Sequence, residues 1–337
     1  MPSLKELPRG HAALSAPETF HQHVILEARP VVLRGLCAEL PASSAGTRSA
    51  QALFDYLLAF DSGRKPMIFT APPDIGGRYF YNSDLSGFNF TRLEAALPEA
   101  FDRILRYAAD PSAPTAYLGS LVAPAYLPGF AEANRVPIVP PQVEPRLWIG
   151  NPSTAAAHYD AFENLACVLL GSRRFTLYPP DAIGDLYVGP VDLTMAGQPA
   201  SLASAAGDPA TYPRFEQARA RAITVELAAG DALFLPKLWW HQVEACDPVN
   251  VMLNYWWDAT AIGPDAPLLA MLLSMIAIAE RPEAERAAFR AFFDHYVFRP
   301  EGHPLAHLPE DRRGILRDIN GASYGQIRAT ILQALRR

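Results

Sequence analysis

Residues 151–180 read NPSTAAAHYDAFENLACVLLGSRRFTLYPP and carry the clearest strand signals in the chain. Two apolar runs, residues 165–170 and 173–178, lie on either side of Gly171 and Ser172. A glycine-led pair between two such runs is typical of a β-hairpin with a two-residue type II′ turn. We therefore predict that the two strands pair with each other across this turn.

The same β-rich texture covers residues 116–258. Short runs rich in Val, Leu, Phe, Tyr and Trp are bounded there by Gly, Pro, Asp and Asn, which predicts many strands joined by turns. Two further strands are predicted at 232–235 and 250–257. The stretch 192–222 interrupts this pattern with several glycines and prolines, so we interpret it as a long insertion and a candidate lid or substrate loop.

Helical patterns flank the β-rich part on both sides. Apolar residues spaced three and four apart predict helices at 48–60 and 93–108 before it, and at 268–280, 283–298 and 324–335 after it. The C-terminal helices are strongly apolar on one side. We expect that side to be buried, against the core of the chain or against a second subunit.

These textures divide the chain into three predicted regions. Residues 1–110 form a region of helices and strands, and residues 111–260 form a β-rich core on which that region packs. Residues 261–337 form a helical module and a candidate site of homodimer formation. The predicted fold class is therefore mainly β with flanking helices.

Composition and charge limit the class of protein. The 337 residues are 50% hydrophobic and include 29 Lys and Arg against 35 Asp and Glu, for a formal charge of −6. This composition supplies a sizeable core and disfavours a broad, non-specific contact with nucleic acid. The longest apolar run, residues 268–279, would reach only ~18 Å as a helix against a ~30 Å hydrocarbon core, so no membrane partner is indicated.

The N-terminus and the cysteines favour a reducing compartment. The first residues lack the basic stretch followed by an apolar stretch that a secretory signal needs. The three cysteines, Cys37, Cys167 and Cys246, are scattered and odd in number, which is not the pattern of a disulfide framework. We therefore expect a cytoplasmic protein.

The motif His158-Tyr159-Asp160 is the sharpest chemical feature of the sequence. Side chains one residue apart lie on the same side of an extended chain, so both residues could reach one metal ion. His241, 83 residues downstream in a second predicted strand region, is the best candidate for a third ligand. Two imidazoles and one carboxylate form the facial arrangement of non-haem Fe(II) oxygenases, which leaves positions open for a co-substrate and dioxygen.

Interpretations without a metal ion compete with this one. A His-x-Asp motif is common by chance, and a single histidine is more often half-buried than a ligand. Context favours the metal site, because the other six histidines lie outside the β-rich part. The nearest rival pair, His21 and His23, has no partner carboxylate in a comparable strand, so we interpret it as a solvated face.

Residues 151–180 and residues 230–258 (GDALFLPKLWWHQVEACDPVNVMLNYWWD) together resemble the JmjC or cupin-like Fe(II)- and 2-oxoglutarate-dependent oxygenases. The pattern is most similar to small JmjC hydroxylases and bacterial cupin-like proteins, and it extends from about residue 30 to residue 258. The resemblance implies a double-stranded β-helix, the jelly-roll barrel of cupins and JmjC proteins. It also implies a C-terminal helical module, which often forms dimers in that group.

The resemblance assigns a role to each residue of the motif. His158, Asp160 and His241 become the catalytic iron ligands, with Fe(II) as cofactor and 2-oxoglutarate as co-substrate. Many relatives pair the distal carboxylate of 2-oxoglutarate with a lysine 15 residues after the first histidine, where this chain has Arg173. A guanidinium binds a carboxylate through two parallel hydrogen bonds, but it is longer than a lysine and not equivalent to it.

Strand alternation favours Arg173 over Arg174 for this role. Arg173 shares its face with Phe175 and Leu177, so it is expected to point inward, where a guanidinium needs an anionic partner. In the alternative interpretation both arginines are exposed.

Four further residues would complete the co-substrate pocket by resemblance. They are Tyr117, Asn164, Asn254 and, less directly, Thr154. Asn254 lies in a nearly apolar strand, where an unpaired amide is costly, so it needs a specific partner or the backbone. Relatives often carry Thr or Ser where this chain has Ala155, and a shift of one residue in a strand reverses the face on which Thr154 lies.

The predicted function is that of a 2-oxoglutarate-dependent dioxygenase, a hydroxylase that acts on a protein or peptide side chain. Demethylation begins with the same hydroxylation, so it stays open. A small-molecule or RNA hydroxylase of the same chemistry is an alternative. Two others are a non-redox cupin that binds zinc or manganese, and a non-catalytic binding protein that dimerises through its tail.

Overall fold

The computed structural model describes residues 4–110, 112–195, 197–317, 319 and 321–336. The chain divides into two compact units, Met1–Ala259 and Thr260–Arg337. Five strands that precede residue 110 belong to the same sheets as the later strands of the first unit. The division of this unit into an N-terminal region and a barrel core therefore remains a proposal.

The strands of the described residues all lie in the first unit. They are β1 (Lys5–Pro8), β2 (Val31–Arg34), β3 (Met67–Ala71), β4 (Arg78–Tyr79), β5 (Thr91–Glu94), β6 (Thr115–Val122), β7 (Pro145–Gly150), β8 (Ser153–His158), β9 (Glu163–Leu170), β10 (Ser172–Tyr178), β11 (Ile223–Ala228), β12 (Ala232–Leu235), β13 (Trp240–Ala245) and β14 (Asn250–Trp257).

The helices surround the sheets in the first unit and make up most of the second. They are α1 (Pro17–His23), α2 (Pro41–Gly46), α3 (Ala50–Leu58), α4 (Leu97–Ala108), α5 (Ala123–Tyr126), α6 (Phe130–Ala133), α7 (Leu202–Ala206), α8 (Phe215–Ala220), α9 (Pro267–Ile278), α10 (Glu283–Phe293) and α11 (Gly321–Leu335). A short π-helix, Asp294–Phe298, continues α10.

Two sheets face each other across the barrel. In the described residues the major sheet has nine strands in the order β1-β2-β12-β9-β14-β7-β6-β3-β5, and the minor sheet has five in the order β11-β10-β13-β8-β4. Successive strands from β7 to β10 alternate between the sheets, and β11 to β14 alternate in the same way. This alternation is the signature of the double-stranded β-helix, so the predicted fold class is confirmed.

The predicted hairpin across Gly171 is wrong. Strand β9 pairs with β12 and β14 in the major sheet, whereas β10 pairs with β11 and β13 in the minor sheet. The chain crosses between the sheets at Gly171, whose φ is +76°. Two apolar runs joined by a glycine are compatible with a hairpin or with a crossing between sheets. Pairing with strands that are distant in sequence determines which of the two forms.

The core explains why β9 is a continuous apolar run. Leu165, Cys167 and Leu169 pack against the cluster that includes the N-terminal helices, while Ala166 and Val168 pack between the two sheets. A strand covered on both faces has no reason to alternate polar and apolar residues.

The predicted helices occur with shifted ends. The pattern at 93–108 begins as a helix only at Leu97, because Thr91–Glu94 form β5 and Pro98 occupies the first helical turn. The pattern at 48–60 corresponds to α3, which Ser49 caps by accepting a hydrogen bond from the Ala52 amide.

The second unit leaves much apolar surface exposed. No residue of α9 is buried. Ile276 is 85% exposed. Among the described residues, no helix combines the length and the apolar character needed to cross a bilayer.

We predict that Gly171→Ala destabilises the first unit. A Cβ atom at this position would lie 2.6 Å from Oδ1 of Asn250 and 3.0 Å from the carbonyl of Val249, at a φ that side chains rarely adopt. The combined strain and crowding should lower the free energy of unfolding by about 2–4 kcal/mol, measured by urea denaturation.

Gly184→Ala is the matched control, because nothing lies within 4 Å of a Cβ atom there. Equal denaturation midpoints for the two variants would contradict the close packing of the crossing against Asn250.

Candidate active site

His158, Asp160 and His241 converge at one end of the minor sheet. His158 ends β8 and lies directly opposite His241 of β13, just before a bulge in the pairing. Their ring centroids are 4.4 Å apart, and Nε2 of His241 lies 3.6 Å from Oδ2 of Asp160. One potential ligand atom from each of the three residues lies within 4.8 Å of the other two, close enough for one metal ion.

Backbone contacts orient both imidazoles for metal binding. Nδ1 of His158 lies 2.9 Å from the Ala156 carbonyl, and Nδ1 of His241 lies 3.0 Å from the Trp239 carbonyl. A carbonyl only accepts hydrogen bonds, so Nδ1 carries the proton and the Nε2 lone pair is free for a metal. Burial, and secondly the neighbouring His158, lowers the pKa of His241 to about 4. His241 is therefore neutral near pH 7, as a ligand must be.

Two side chains hold the carboxylate of Asp160. Asn164 Nδ2 and Trp256 Nε1 donate hydrogen bonds to Oδ2 over 2.9 and 3.1 Å. Behind them, Asn254 Nδ2 lies 3.5 Å from Oδ1 of Asn164, and Trp148 Nε1 donates to Oδ1 of Asn254 over 2.7 Å. A chain of side-chain hydrogen bonds therefore runs from β7 through β14 and β9 to Asp160.

Sequence patterns did not identify the two tryptophans of this hydrogen-bond network, Trp148 and Trp256, as site residues. A usable signal was present, because Trp256 shares a face of β14 with Asn254. Both asparagines lie at the site, and their predicted contacts with a co-substrate remain predictions.

Arg173 points into the barrel, and Arg174 points out of it. Arg173 is only 2% exposed, and its Nε has no hydrogen-bond partner among the described residues. Its Nη2 makes one long contact of 3.5 Å with the Trp148 carbonyl. Burial lowers the pKa of Arg173, and the neighbouring Tyr117 hydroxyl opposes this shift. A buried, under-paired guanidinium is suited to an anionic ligand.

A cavity joins Arg173 to the three candidate metal ligands. It encloses about 1060 Å³ of empty space, part of it open to solvent, and its lining includes Tyr117, Asn164, Asn254 and Thr154. Most of the remaining lining is aromatic or aliphatic. All eight predicted site residues therefore lie on one cavity, although the Thr154 side chain forms no hydrogen bond with any described residue.

The predicted insertion supplies one wall of this cavity through Met195, Gln198 and Ala200. Two side chains from outside the insertion donate hydrogen bonds to its backbone. The Tyr81 hydroxyl donates to the Leu193 carbonyl over 2.8 Å, and Arg92 Nη2 donates to the Met195 carbonyl over 3.1 Å. Residue 196 of the insertion lies outside the described residues.

The rival histidine pair is not part of a metal-binding cluster. His21 and His23 lie in α1, and within the described part of the chain His158, Asp160 and His241 form the one group with suitable geometry.

Comparison with known proteins agrees with this architecture. A family model described as "Cupin-like domain" matches residues 17–261, well over half of the chain. The chain belongs to the cupin-like domain family. The predicted kinship with JmjC and cupin-like proteins is thereby confirmed.

Three curated relatives illustrate this kinship. The lysine-specific demethylase JMJ31 of Arabidopsis thaliana is 35% identical over 105 residues, which cover 31% of this chain and 19% of that protein. Jumonji C domain-containing protein 5 of Drosophila melanogaster is 33% identical over 120 residues, or 35% and 29% of the two chains. The human bifunctional peptidase and (3S)-lysyl hydroxylase JMJD7 is 32% identical over 130 residues, or 33% and 40%. The chain thus matches less than half the length of each relative.

We predict that Trp256→Phe weakens metal binding. The variant keeps an aromatic ring but removes the hydrogen bond to Asp160, so the carboxylate loses part of its orientation. Loss of such a contact typically weakens metal affinity by roughly tenfold or more. The Kd for Mn(II) can be measured from the paramagnetic resonance signal of the free ion.

Trp257→Phe is the control, because the neighbouring residue lies on the opposite face of β14. An unchanged Kd in Trp256→Phe would contradict the role of the indole in holding Asp160.

Proposed function

We propose that this protein is an Fe(II)- and 2-oxoglutarate-dependent oxygenase. The observation that carries the proposal is the buried guanidinium of Arg173, with an unpaired Nε, on the same cavity as His158, Asp160 and His241. A metal triad without such a cation would equally suit a zinc or manganese cupin. Membership of the cupin-like family and the JmjC relatives support the same conclusion.

The donor set fits Fe(II). Two neutral imidazole nitrogens and one carboxylate oxygen, each oriented by a second hydrogen bond, would hold the ion and leave positions open for ligands. Bound there, Fe(II) supplies the dioxygen-dependent oxidation that is coupled to the conversion of 2-oxoglutarate to succinate and carbon dioxide.

The protein residues would bind the co-substrate, orient the metal ligands and exclude water. Arg173, with Tyr117 beside it, would hold the distal carboxylate of 2-oxoglutarate. Asn164 and Asn254 would complete the co-substrate pocket while they hold Asp160, and Thr154 would contribute to the same wall. The mostly aromatic and aliphatic lining would limit the water around these polar contacts and so strengthen each of them.

For the substrate, we propose a protein or peptide side chain that is hydroxylated. The support comes from the relatives, one named a lysine-specific demethylase and another a (3S)-lysyl hydroxylase. A gain of one oxygen atom on a peptide, detected by mass spectrometry, would distinguish this activity from the hydroxylation of RNA or of a small molecule. Loss of a methyl group would instead identify demethylation.

Anaerobic titration of the Fe(II) protein with 2-oxoglutarate tests the assignment. We expect a metal-to-ligand charge-transfer band that saturates with the co-substrate. Arg173→Gln should raise the Kd for 2-oxoglutarate by about 100-fold, because it removes a desolvated charge pair with the ligand.

Arg174→Gln is the matched control, since Arg174 points outward and pairs with Glu226 and Glu244. Absence of the band in iron-loaded wild-type protein would contradict the proposal and favour a non-redox cupin or a binding protein.

We also propose that the second unit joins two copies of the chain, and that the protein is cytoplasmic. The argument for pairing is the exposed apolar surface of this unit, which includes Ile276, Phe292 and Phe298 at 85%, 63% and 70% exposure. Exposed apolar patches of this kind usually mark an interface.

Sedimentation velocity tests the pairing. We expect a dimer for the full chain, and a monomer for Ile276→Lys, because a charge in an apolar interface must be desolvated. Glu280→Lys is the control in the same region. A wild-type monomer at micromolar concentration would contradict the pairing.

A further inference from the structure

An arginine on β5 packs against residues that line the cavity. The guanidinium carbon of Arg92 lies 5.1, 5.4 and 5.5 Å from the ring centres of Phe69, Phe88 and Phe90. Phe69 and Phe90 line the cavity, and Arg92 itself is exposed. Contacts with three aromatic rings therefore hold the charge next to the cavity wall.

A second arginine, on β7, has the same kind of environment. Arg146 lies with its guanidinium carbon 5.4 Å from the ring centre of Trp256, and its Nη1 donates a hydrogen bond of 2.8 Å to Ser120 Oγ. It shares a face of β7 with Trp148, and both tryptophans line the cavity. We call Arg92 and Arg146 the rim arginines.

The charges of the rim arginines are not compensated. Among the described residues, neither arginine forms an ion pair with a carboxylate, whereas the outward-facing Arg174 has two such partners. The polar contacts of the rim arginines are neutral, a carbonyl for Arg92 and a hydroxyl for Arg146. Within the described lining of the cavity Asp160 is the one carboxylate, and its role at the metal site is already assigned.

We infer that the substrate segment entering this cavity is acidic, with Asp or Glu side chains flanking the residue that reacts. This inference rests on the proposed function and adds the chemical class of its substrate. Two fixed cations on separate strands would orient an extended peptide across the opening and speed its association. The same cations repel a Lys- or Arg-rich segment.

A protein segment fits this charge arrangement better than RNA does. Proteins that follow a nucleic-acid backbone use a continuous row of Lys and Arg side chains, because each phosphate carries a charge. Here two arginines that have no ion-pair partner in the described part of the chain lie next to the cavity wall, and the formal charge of the whole chain is −6. Two cations can bind a few carboxylates, but the net negative charge of the rest of the protein would repel a long polyanion.

Two degenerate peptide pools test the inference with the full chain, Fe(II) and 2-oxoglutarate. Each pool has a randomised central residue, flanked by Asp and Glu in one pool and by Lys and Arg in the other. Succinate formation should be higher with the acidic pool. Arg92→Gln and Arg146→Gln should each lower the acidic-to-basic ratio by about two- to fivefold, the range for a single exposed charge pair.

Two variants distinguish an effect of the arginine charge from an effect of the position of the insertion. Arg174→Gln removes an arginine whose charge is already paired, so the ratio should stay at the wild-type value. Tyr81→Phe removes a different side-chain hydrogen bond to the backbone of the insertion without changing charge, so it should leave the ratio unchanged even if total turnover falls. A fall in the ratio for Tyr81→Phe would show that Arg92 acts by holding the insertion, and would overturn the inference for that residue.

The inference is overturned if the two pools give equal succinate, if the basic pool is preferred, or if neither rim variant changes the ratio. Greater stimulation by single-stranded poly(U) than by the acidic pool also overturns it. The Kd for 2-oxoglutarate, measured on the same preparations, distinguishes failure of this inference from failure of the proposed function. Normal co-substrate binding with no acidic preference refutes this inference alone, whereas absent binding refutes the proposed function and this inference with it.

Discussion

The buried guanidinium of Arg173 imposes the strongest constraint on this structure. Removing a cation from water costs roughly several kcal/mol, and neighbouring groups must offset that cost. Arg173 lies on β10 between Leu227 and Ala245 of the adjacent strands, with one long contact to a carbonyl and one unpaired N–H. An anion bound in the cavity would supply the missing partner, which is the role proposed for the distal carboxylate of 2-oxoglutarate.

The two-sheet architecture places the other groups around that charge. Strands β8 and β13 of the minor sheet carry His158 and His241 opposite each other, and the loop after β8 carries Asp160. Strands β9, β14 and β7 of the major sheet supply the hydrogen bonds that hold Asp160. The minor sheet thus carries the two histidines, and the major sheet carries the side chains that orient Asp160. Because the supporting groups lie on paired strands rather than on loops, the site is held by the barrel itself.

Local sequence patterns predicted the chemistry of the site better than its surroundings. The spacing of His158 and Asp160, and the face on which Arg173 lies, follow from the two-residue period of a strand, so they could be deduced without coordinates. The partner of β9 could not, because its apolar residues suit a hairpin and a crossing equally well. Strands were expected within residues 1–110, but most of their positions could not be deduced, since short segments such as Lys5–Pro8 gain their structure from pairing with distant strands. The period of β14 gives the face on which Trp256 lies, but the hydrogen-bond partners of the two tryptophans and the ring contacts of the rim arginines depend on tertiary structure.

The central claim is that Arg173 and the three candidate ligands form one binding site for a metal and a dicarboxylate. The most direct measurement is an anaerobic crystal structure of the protein grown with Mn(II) and 2-oxoglutarate, with the metal located by its anomalous scattering. The account predicts manganese bound to Nε2 of both histidines and to Asp160, and the distal carboxylate of 2-oxoglutarate bound to Arg173. Manganese at another position, or a co-substrate that leaves Arg173 without an anionic partner, would contradict it.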